Sequence, residues 1–470
     1  MTTYVGASMA SSHHSTMPRR WWETASALSR PYLKAHGQTL TDLTDRLTDL
    51  QSLGFDAIEV FAPCKGGICY NGLDSIDFYE VDPAIGTMTD FQRLVAEAHA
   101  RGMAVIAFLN LGYAHEQFPA FLKACDDMRA GVDSPEARMF VWSDTGADVM
   151  QKPLAPHFLN DSHGNWRWND RAQKYFWVKW EGEKGGYHLP QFNFGDPGWQ
   201  AEVRRILDFW LRIGIDGVVI DAVNWYIDCN WAIARSSMTD VINGFDNQFS
   251  QPEGAGGFRD DPVPWIREGG FNCVMDYAIK LWWEGVDVIR DAIHSGDPRP
   301  IEAALRGYRD RVVAAGGVCY IDTPNLRDAT LAARLLGVAT VATIGVLLLD
   351  IGDDHTDWPP DERRAVTVLL AARRQYPALC AGGTRTQLST SDDHRYYAFV
   401  RTPRDDGMRL LVVLNFQPGA CELSVDLRGT AITRLEDIWT HQVHEVGDSL
   451  SLTLPSYGYG IYAIRCSSQQ

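Results

Sequence analysis

A carboxylate that stands where an apolar run stops is a candidate for chemistry, and Asp221 in "GIDGVVIDAVNWY" (214–226) is one. The run before it, Val218, Val219 and Ile220, has so few polar residues that it reads as a strand of a buried parallel sheet. An acid at the end of such a strand can act as a base or nucleophile, or it can simply cap or solvate the strand end. Nothing comparable points to a metal. Cys64 and Cys69 lie close in "CKGGIC", but no second pair or histidine cluster accompanies them. Which role Asp221 takes depends on the elements that carry it.

The chain has 470 residues, enough for two or three domains around a large core. Hydrophobic residues make up 45% and charged residues 22%, an ordinary water-soluble balance. A net charge of −17 argues against nucleic acid or an anionic membrane as partner. The nine scattered cysteines suggest reduced, mostly buried thiols and hence a cytoplasmic protein. Residues 1–20 carry no apolar signal core and read as a disordered leader. No stretch is long and apolar enough to span a membrane; "VATVATIGVLLLD" (338–350) comes nearest and reads as a buried strand with its approach.

Helices and strands alternate over the first two-thirds. Leu43, Leu47, Leu50 and Leu53 share one helical face that Gly54 ends, and "FDAIEVFAP" follows as a strand. "DFQRLVAEAHARG" and "MAVIAFLN" repeat the unit. Asp196-Pro197, an N-cap with a first-turn proline, opens the helix that delivers the chain to the Asp221 strand. Further strands are expected near 271–277, 317–323 and 343–350. So many strand–helix units, with no glycine-rich phosphate fingerprint after the first strand, predict a closed (β/α)8 TIM barrel rather than a small open sheet. In that fold the C-terminal ends of the strands form the active site, which moves Asp221 from turn-former towards catalyst.

Between "FLN" and "DPGWQAEV" lies an insertion of roughly eighty residues, far beyond ordinary loop length. It carries Trp142, Trp166, Trp168, Tyr175, Phe176, Trp177 and Trp180, which either pack its own core or stack against a ligand. After about residue 385, strict alternation in "RYYAFVR", "RLLVVLNF" and "SLSLTLP" predicts an antiparallel β-sandwich. The expected organisation is therefore a leader over 1–20, the barrel over 21–110 and 191–384, an inserted subdomain over 111–190 at the barrel mouth, and a C-terminal β-sandwich over 385–470.

From about Trp21 onward, several segments in order resemble the α-amylase superfamily of glycoside hydrolases, nearest its oligo-1,6-glucosidase and sucrose-isomerase branch. They are "LTDRLTDLQSLGFDAIEVFAP", "YNGLDSIDFYEVDPAIGTMTDFQRLVAEAHARGMAVI", "FGDPGWQAEVRRILDFWLRIGIDGVVIDAV" and "LAARRQYPAL". The resemblance implies that Asp221 is the nucleophile and that Glu253, in "NQFSQPEGAGG", is the general acid, with Glu268 in "WIREGG" as the alternative. It also implies that Asp74, in "GLDSIDFY", bonds hydroxyls of the cleaved sugar; the other reading of Asp74 is a turn-former. Such a pair works by retention, with two carboxyls about 5–5.5 Å apart across the scissile bond. Their surroundings must push the acid's proton affinity up and the nucleophile's down. No organic cofactor or metal is expected, because "SRPYLKAHGQTL" lacks the calcium-binding pattern of relatives.

The same alignment shows departures. Val219 stands where the family has an arginine two residues before the nucleophile. Phe108, Gly112 and Tyr113 replace an aspartate, an asparagine and a histidine; Leu73 replaces a stacking tyrosine; Pro324 and Asn325 replace a histidine and the transition-state aspartate. Tyr113, His115, Asp322 and Asn325 are the candidates for a rebuilt sugar pocket. Three readings stay open: a retaining hydrolase of an unusual small α-linked glycoside, an isomerase or transglycosidase using the same intermediate, and a catalytically silent carbohydrate-binding module.

Overall fold

The computed structural model describes residues 17–465 except 19, 148–164, 182–186, 258–259, 282–283, 352–355 and 357. Of the expected leader, residues 1–16 and 19 lie outside the described residues, as does the side chain of Trp180.

Eight parallel strands form the central sheet: β1 (Ala27–Arg30), β2 (Ala57–Phe61), β3 (Ala104–Leu109), β4 (Gly217–Ile220), β5 (Phe249–Pro252), β6 (Cys273–Met275), β7 (Val318–Asp322) and β8 (Leu347–Ile351). Their spatial order follows the chain around a ring, with β5 and β6 at the two ends of the ladder. Asn272, just before β6, closes the ring by donating its amide to Ser250 O on β5 at 3.3 Å and taking the Ser250 amide on its side chain at 3.0 Å.

The period-2 alternation of strands splits the core in two. Leu28, Ala57, Ile106, Phe108, Val219, Phe249, Met275, Tyr320 and Leu349 pack together inside the barrel. Their chain neighbours Ile58, Val105, Val218, Ile220, Cys319 and Leu348 pack outward against the helices. "GVVI" is apolar throughout because both of its faces are covered. The next inward position after Val219 is Asp221.

Local signals set the helix boundaries. Thr87 and Asp90 form a reciprocal capping box at Met88–Ala100, and Asp196 accepts from Trp199 N at 2.8 Å to start Pro197–Arg212. The leucine face of the first helix is divided at Arg46 into Leu40–Asp45 and Leu47–Leu53. One expected element differs. Within 338–350 the chain is helical to Thr343, ending the helix Leu331–Thr343, and only Leu347–Ile351 is strand. Continuous burial removes the polar face that would have revealed the helical period.

The insertion contributes short antiparallel strands at Trp142–Ser143, Trp166–Asn169, Lys174–Glu181 and His188–Pro190. Trp166, Phe176 and Trp177 are buried, whereas Trp168 is 45% exposed. The C-terminal region is a six-stranded antiparallel sheet faced by the antiparallel pair Cys421–Asp426 and Ser449–Leu454. A core of Tyr396, Val400, Val413, Leu423, Leu450 and Tyr462 fills the space between them. Fully buried Arg401, on the C-terminal strand Tyr396–Thr402, ties the sheet to the barrel by donating to the main-chain carbonyls of Ala378 and Cys380. Among the described residues no helix is long and apolar enough to cross a membrane.

Candidate active site

Asp221 and Glu253 end adjacent parallel strands on the same inward face, each two residues past an interior position, Val219 and Gln251, that are direct partners across the ladder. The two ends are laced together. Glu253 N donates to Ile220 O at 2.8 Å, Val223 N donates to Glu253 O at 2.9 Å, and Ala222 N donates to the Glu253 carboxyl at 2.9 Å. The residue that follows one carboxylate thus holds the other. Ala222 turns its amide that way by adopting φ +47°, ψ +40°, a left-handed conformation rare for alanine. Gly254 cannot carry a side chain here: its φ is +82°, and a Cβ would fall 2.2 Å from Asn224 Oδ1.

Tyr277 completes the surroundings of Glu253, donating from its hydroxyl to Oε1 at 3.2 Å. Burial raises its phenol well above the ordinary value, with the Glu253 charge adding to the effect. Tyr113 and Tyr226 are likewise buried, and the Asp221 charge pushes both phenols further up. All three phenols therefore stay neutral beside the carboxylates. Asp221 itself is 8% exposed, open enough for contact with a ligand. Glu268 is exposed beyond the helix Pro262–Arg267, away from the strand ends.

Asp74 lies in the turn before the strand Ser75–Val81 and is fully buried. Tyr187, from the insertion, donates to its Oδ2 at 2.6 Å, and His115 Nε2 lies 4.0 Å from the same atom. The His115 and Tyr187 rings pack with centres 4.2 Å apart. Gly67 has to be glycine, because a Cβ there would stand 2.2 Å from Asp74 Oδ2. Burial raises the Asp74 carboxyl, partly offset by the Tyr187 bond, and burial lowers His115. A second tie between insertion and barrel runs through Gln191, which accepts from Trp177 Nε1 at 3.0 Å and donates to Trp225 O at 2.8 Å.

The other expected residues are arranged differently. Tyr113 is 1% exposed and packs with Leu73, Phe108 and Val219 inside the barrel. Asp322, at the end of β7, pairs with Lys280 at 3.0 Å, and Asn325 N donates to Asp287 Oδ2 at 2.9 Å. Asp322, Pro324 and Asn325 line a cavity of about 550 Å³ together with Lys280, Arg334 and Trp358; neither Asp221 nor Glu253 is part of that lining. Sequence reasoning missed Tyr187, Tyr277, Lys280 and the Ala222 amide. Tyr277 carried a usable signal, since it follows a barrel strand; Tyr187 and Ala222 carried none, because their roles arise from cross-chain approach.

Comparison with known proteins bears on this arrangement. A family model described as "Alpha amylase, catalytic domain" matches residues 12–255, just over half of the chain, and one described as "Maltogenic Amylase, C-terminal domain" matches 386–461. A trehalose synthase/amylase of Mycobacterium tuberculosis is 32% identical over 189 residues, covering 40% of this chain and 30% of that protein. A probable alpha-glucosidase of Rhizobium meliloti is 28% identical over 215 residues, covering 44% of this chain and 37% of its own. The matched stretch thus spans only about a third of these relatives. Among solved structures, Amy13B of Eubacterium rectale superposes with a TM-score of 0.74 at 15% identity, covering 94% of this chain and 96% of that one. A trehalulose synthase variant gives 0.71 at 16% identity, covering 95% and 100%. At such identity these two show a shared fold.

Proposed function

Because the chain belongs to the α-amylase family, we propose that it is a retaining α-glycoside-processing enzyme in which Asp221 is the nucleophile and Glu253 the general acid/base. Ionised Asp221 attacks the anomeric carbon while Glu253 protonates the departing oxygen; Glu253 then takes a proton from water or from a sugar hydroxyl as the glycosyl ester is released. The observation that carries this reading is the lacing of the two strand ends, above all the Ala222 amide on the Glu253 carboxyl. It fixes the acid's position relative to the nucleophile without a mobile intermediary. Tyr277, a neutral donor on Oε1, steadies the same group.

The ring-binding part departs from the family, and substrate choice should depart with it. Val219 stands where the family has an arginine, Tyr113 and Pro324 where it has histidines, and Asn325 where it has the transition-state aspartate. Each lost charge-assisted contact is worth about 1.5–3 kcal/mol, so three lower kcat/KM by about three orders of magnitude or more. Maltose, isomaltose and aryl α-glucosides are therefore expected to be poor substrates next to a less polar or differently shaped glycoside. The substrate is a small carbohydrate, and the buried cysteines, without a disulfide among the described residues, suit a reducing cytoplasm. A panel of aryl α-glycosides with NMR of the first-formed product tests the reading. Retention gives the α anomer first; an initial β product rules out double displacement.

Transfer or isomerisation in place of hydrolysis is the second reading. It is favoured by the trehalose synthases among the relatives. The half-exposed Trp168 and the rest of the aromatic insertion offer a surface for an acceptor sugar. Product analysis with and without added acceptor separates the two.

A further inference from the structure

The neighbouring barrel strands β1 and β2 each carry a charge at an inward position, Arg30 in "ALSR" and Glu59 in "AIEVF". They meet inside the barrel. Arg30 Nε donates to Glu59 Oε1 at 2.6 Å, and Arg30 Nη2 donates to the Tyr320 hydroxyl at 3.1 Å. Tyr320 in turn donates to Gln251 Oε1 at 3.1 Å. The guanidinium lies 4.9 Å from the centre of the Phe108 ring. None of these five residues is more than 6% exposed.

Strand register gives the cluster its meaning. Phe108, Val219 and Gln251 are direct partners across β3, β4 and β5. Arg30 touches one end of that row at Phe108 and, through Tyr320, the other end at Gln251. Asp221 and Glu253 follow Val219 and Gln251 by two residues, so the row lies about 7 Å beneath them along the strands. The titratable groups that feel the ion pair are Tyr32, Tyr320 and Asp322 around Arg30, and Glu253 and Cys273 around Glu59.

A buried ion pair is a poor stabiliser, since apolar residues of similar volume usually do as well or better. This one also leaves Glu59 Oε2 and Gln251 Nε2 without a hydrogen-bond partner among the described residues. Packing alone does not account for that cost.

We propose that Arg30 is a positioning residue for the candidate carboxyl pair. It clamps the Phe108–Val219–Gln251 row from the opposite wall of the barrel and thereby fixes the strand ends from which Asp221 and Glu253 project. The proposal rests on the reading of those two residues as a working pair.

The test uses the full chain and two variants. Arg30→Met combined with Glu59→Met removes both charges together and leaves no buried ion unpaired; Tyr320→Phe deletes only the hydroxyl that links Arg30 to Gln251. The first readout, hydrogen exchange at the Ala222 amide held by Glu253, needs no substrate. The second is kcat and KM on the best glycoside of the panel. The double variant should stay folded, exchange Ala222 about tenfold faster, and lose about tenfold in kcat with KM nearly unchanged. Tyr320→Phe should move both readouts the same way by about threefold. A folded double variant with Ala222 exchange and kcat unchanged overturns the proposal. If the double variant does not fold, Tyr320→Phe decides by the same criterion. Should no glycoside be turned over while Ala222 still responds, the enzymatic reading falls and the positioning stands. Turnover with an unresponsive Ala222 gives the reverse.

Discussion

The β4–β5 rim of the barrel and the β6–β7 rim both present acids at strand ends, yet they treat them in opposite ways. On the first, Asp221 stands next to Glu253, which is held by a main-chain amide and a neutral phenol. On the second, Asp276 is wholly buried, its Oδ1 tied to Ile279 N at 3.2 Å, and Asp322 is matched by Lys280. A carboxyl held by neutral donors is left free to exchange a proton with a ligand, whereas one paired to a lysine or enclosed in a turn is committed to the structure. The contrast supports the proposal that chemistry belongs to the first rim.

The sharpest way to break this comparison is at the first rim. Asp221→Asn and Glu253→Gln should each lower turnover by at least about a thousandfold while the thermal midpoint stays near that of the parent. Near-normal rates in a folded Glu253→Gln protein would return the acid's role to Glu268. On the second rim the loss should be in stability. Lys280→Met leaves the largely buried Asp322 without its cation and should cost about 3 kcal/mol in denaturant unfolding. Adding Asp322→Asn should recover most of it, because the uncompensated charge goes with the partner.

Asp276 gives a pH-dependent test. Burial raises its carboxyl to about 7, partly offset by main-chain donors at Ile279 and Ala278. The folded state therefore holds a proton that the unfolded state releases near pH 4, and stability must fall as pH rises from about 4 to about 7. Asp276→Asn should remove that slope and be the more stable protein above pH 7, by about 2 kcal/mol, with activity unaffected. Parallel pH–stability curves for parent and variant would contradict the buried, protonated state. The smallest effect concerns the tie between insertion and barrel. Tyr187→Phe removes one hydrogen bond to Asp74 and should cost about 1 kcal/mol, with a change in KM rather than kcat if Asp74 meets the sugar.

Much of the fold was legible because it is written in periodicity. The capped helices at Met88–Ala100 and Pro197–Arg212, the apolar barrel strands and the alternating C-terminal strands each follow from local spacing. The helix ending at Thr343 escaped because every residue from Leu336 to Thr343 is buried, which leaves no polar face to count from. The candidate carboxyls were legible through strand ends and family resemblance, but their support was not. Arg30 and Glu59 stood out only as charges inside apolar strands. That they meet each other, 29 residues apart, needed the parallel pairing of β1 with β2.

The sequence by itself therefore determined the barrel, its aromatic insertion and the place of Asp221 at an inward strand end, since each depends on patterns within one or two elements. Tertiary structure decided which acids remain available. Asp221, Asp276 and Asp322 are alike in one dimension, an acid at the end of a short apolar strand. What separates them is the neighbour supplied from elsewhere in the chain: Lys280 for Asp322, enclosure and a turn amide for Asp276, and, beside Asp221, the Ala222 amide that binds Glu253. Desolvation and pairing act over a few ångströms in space, and no spacing along the chain encodes that distance.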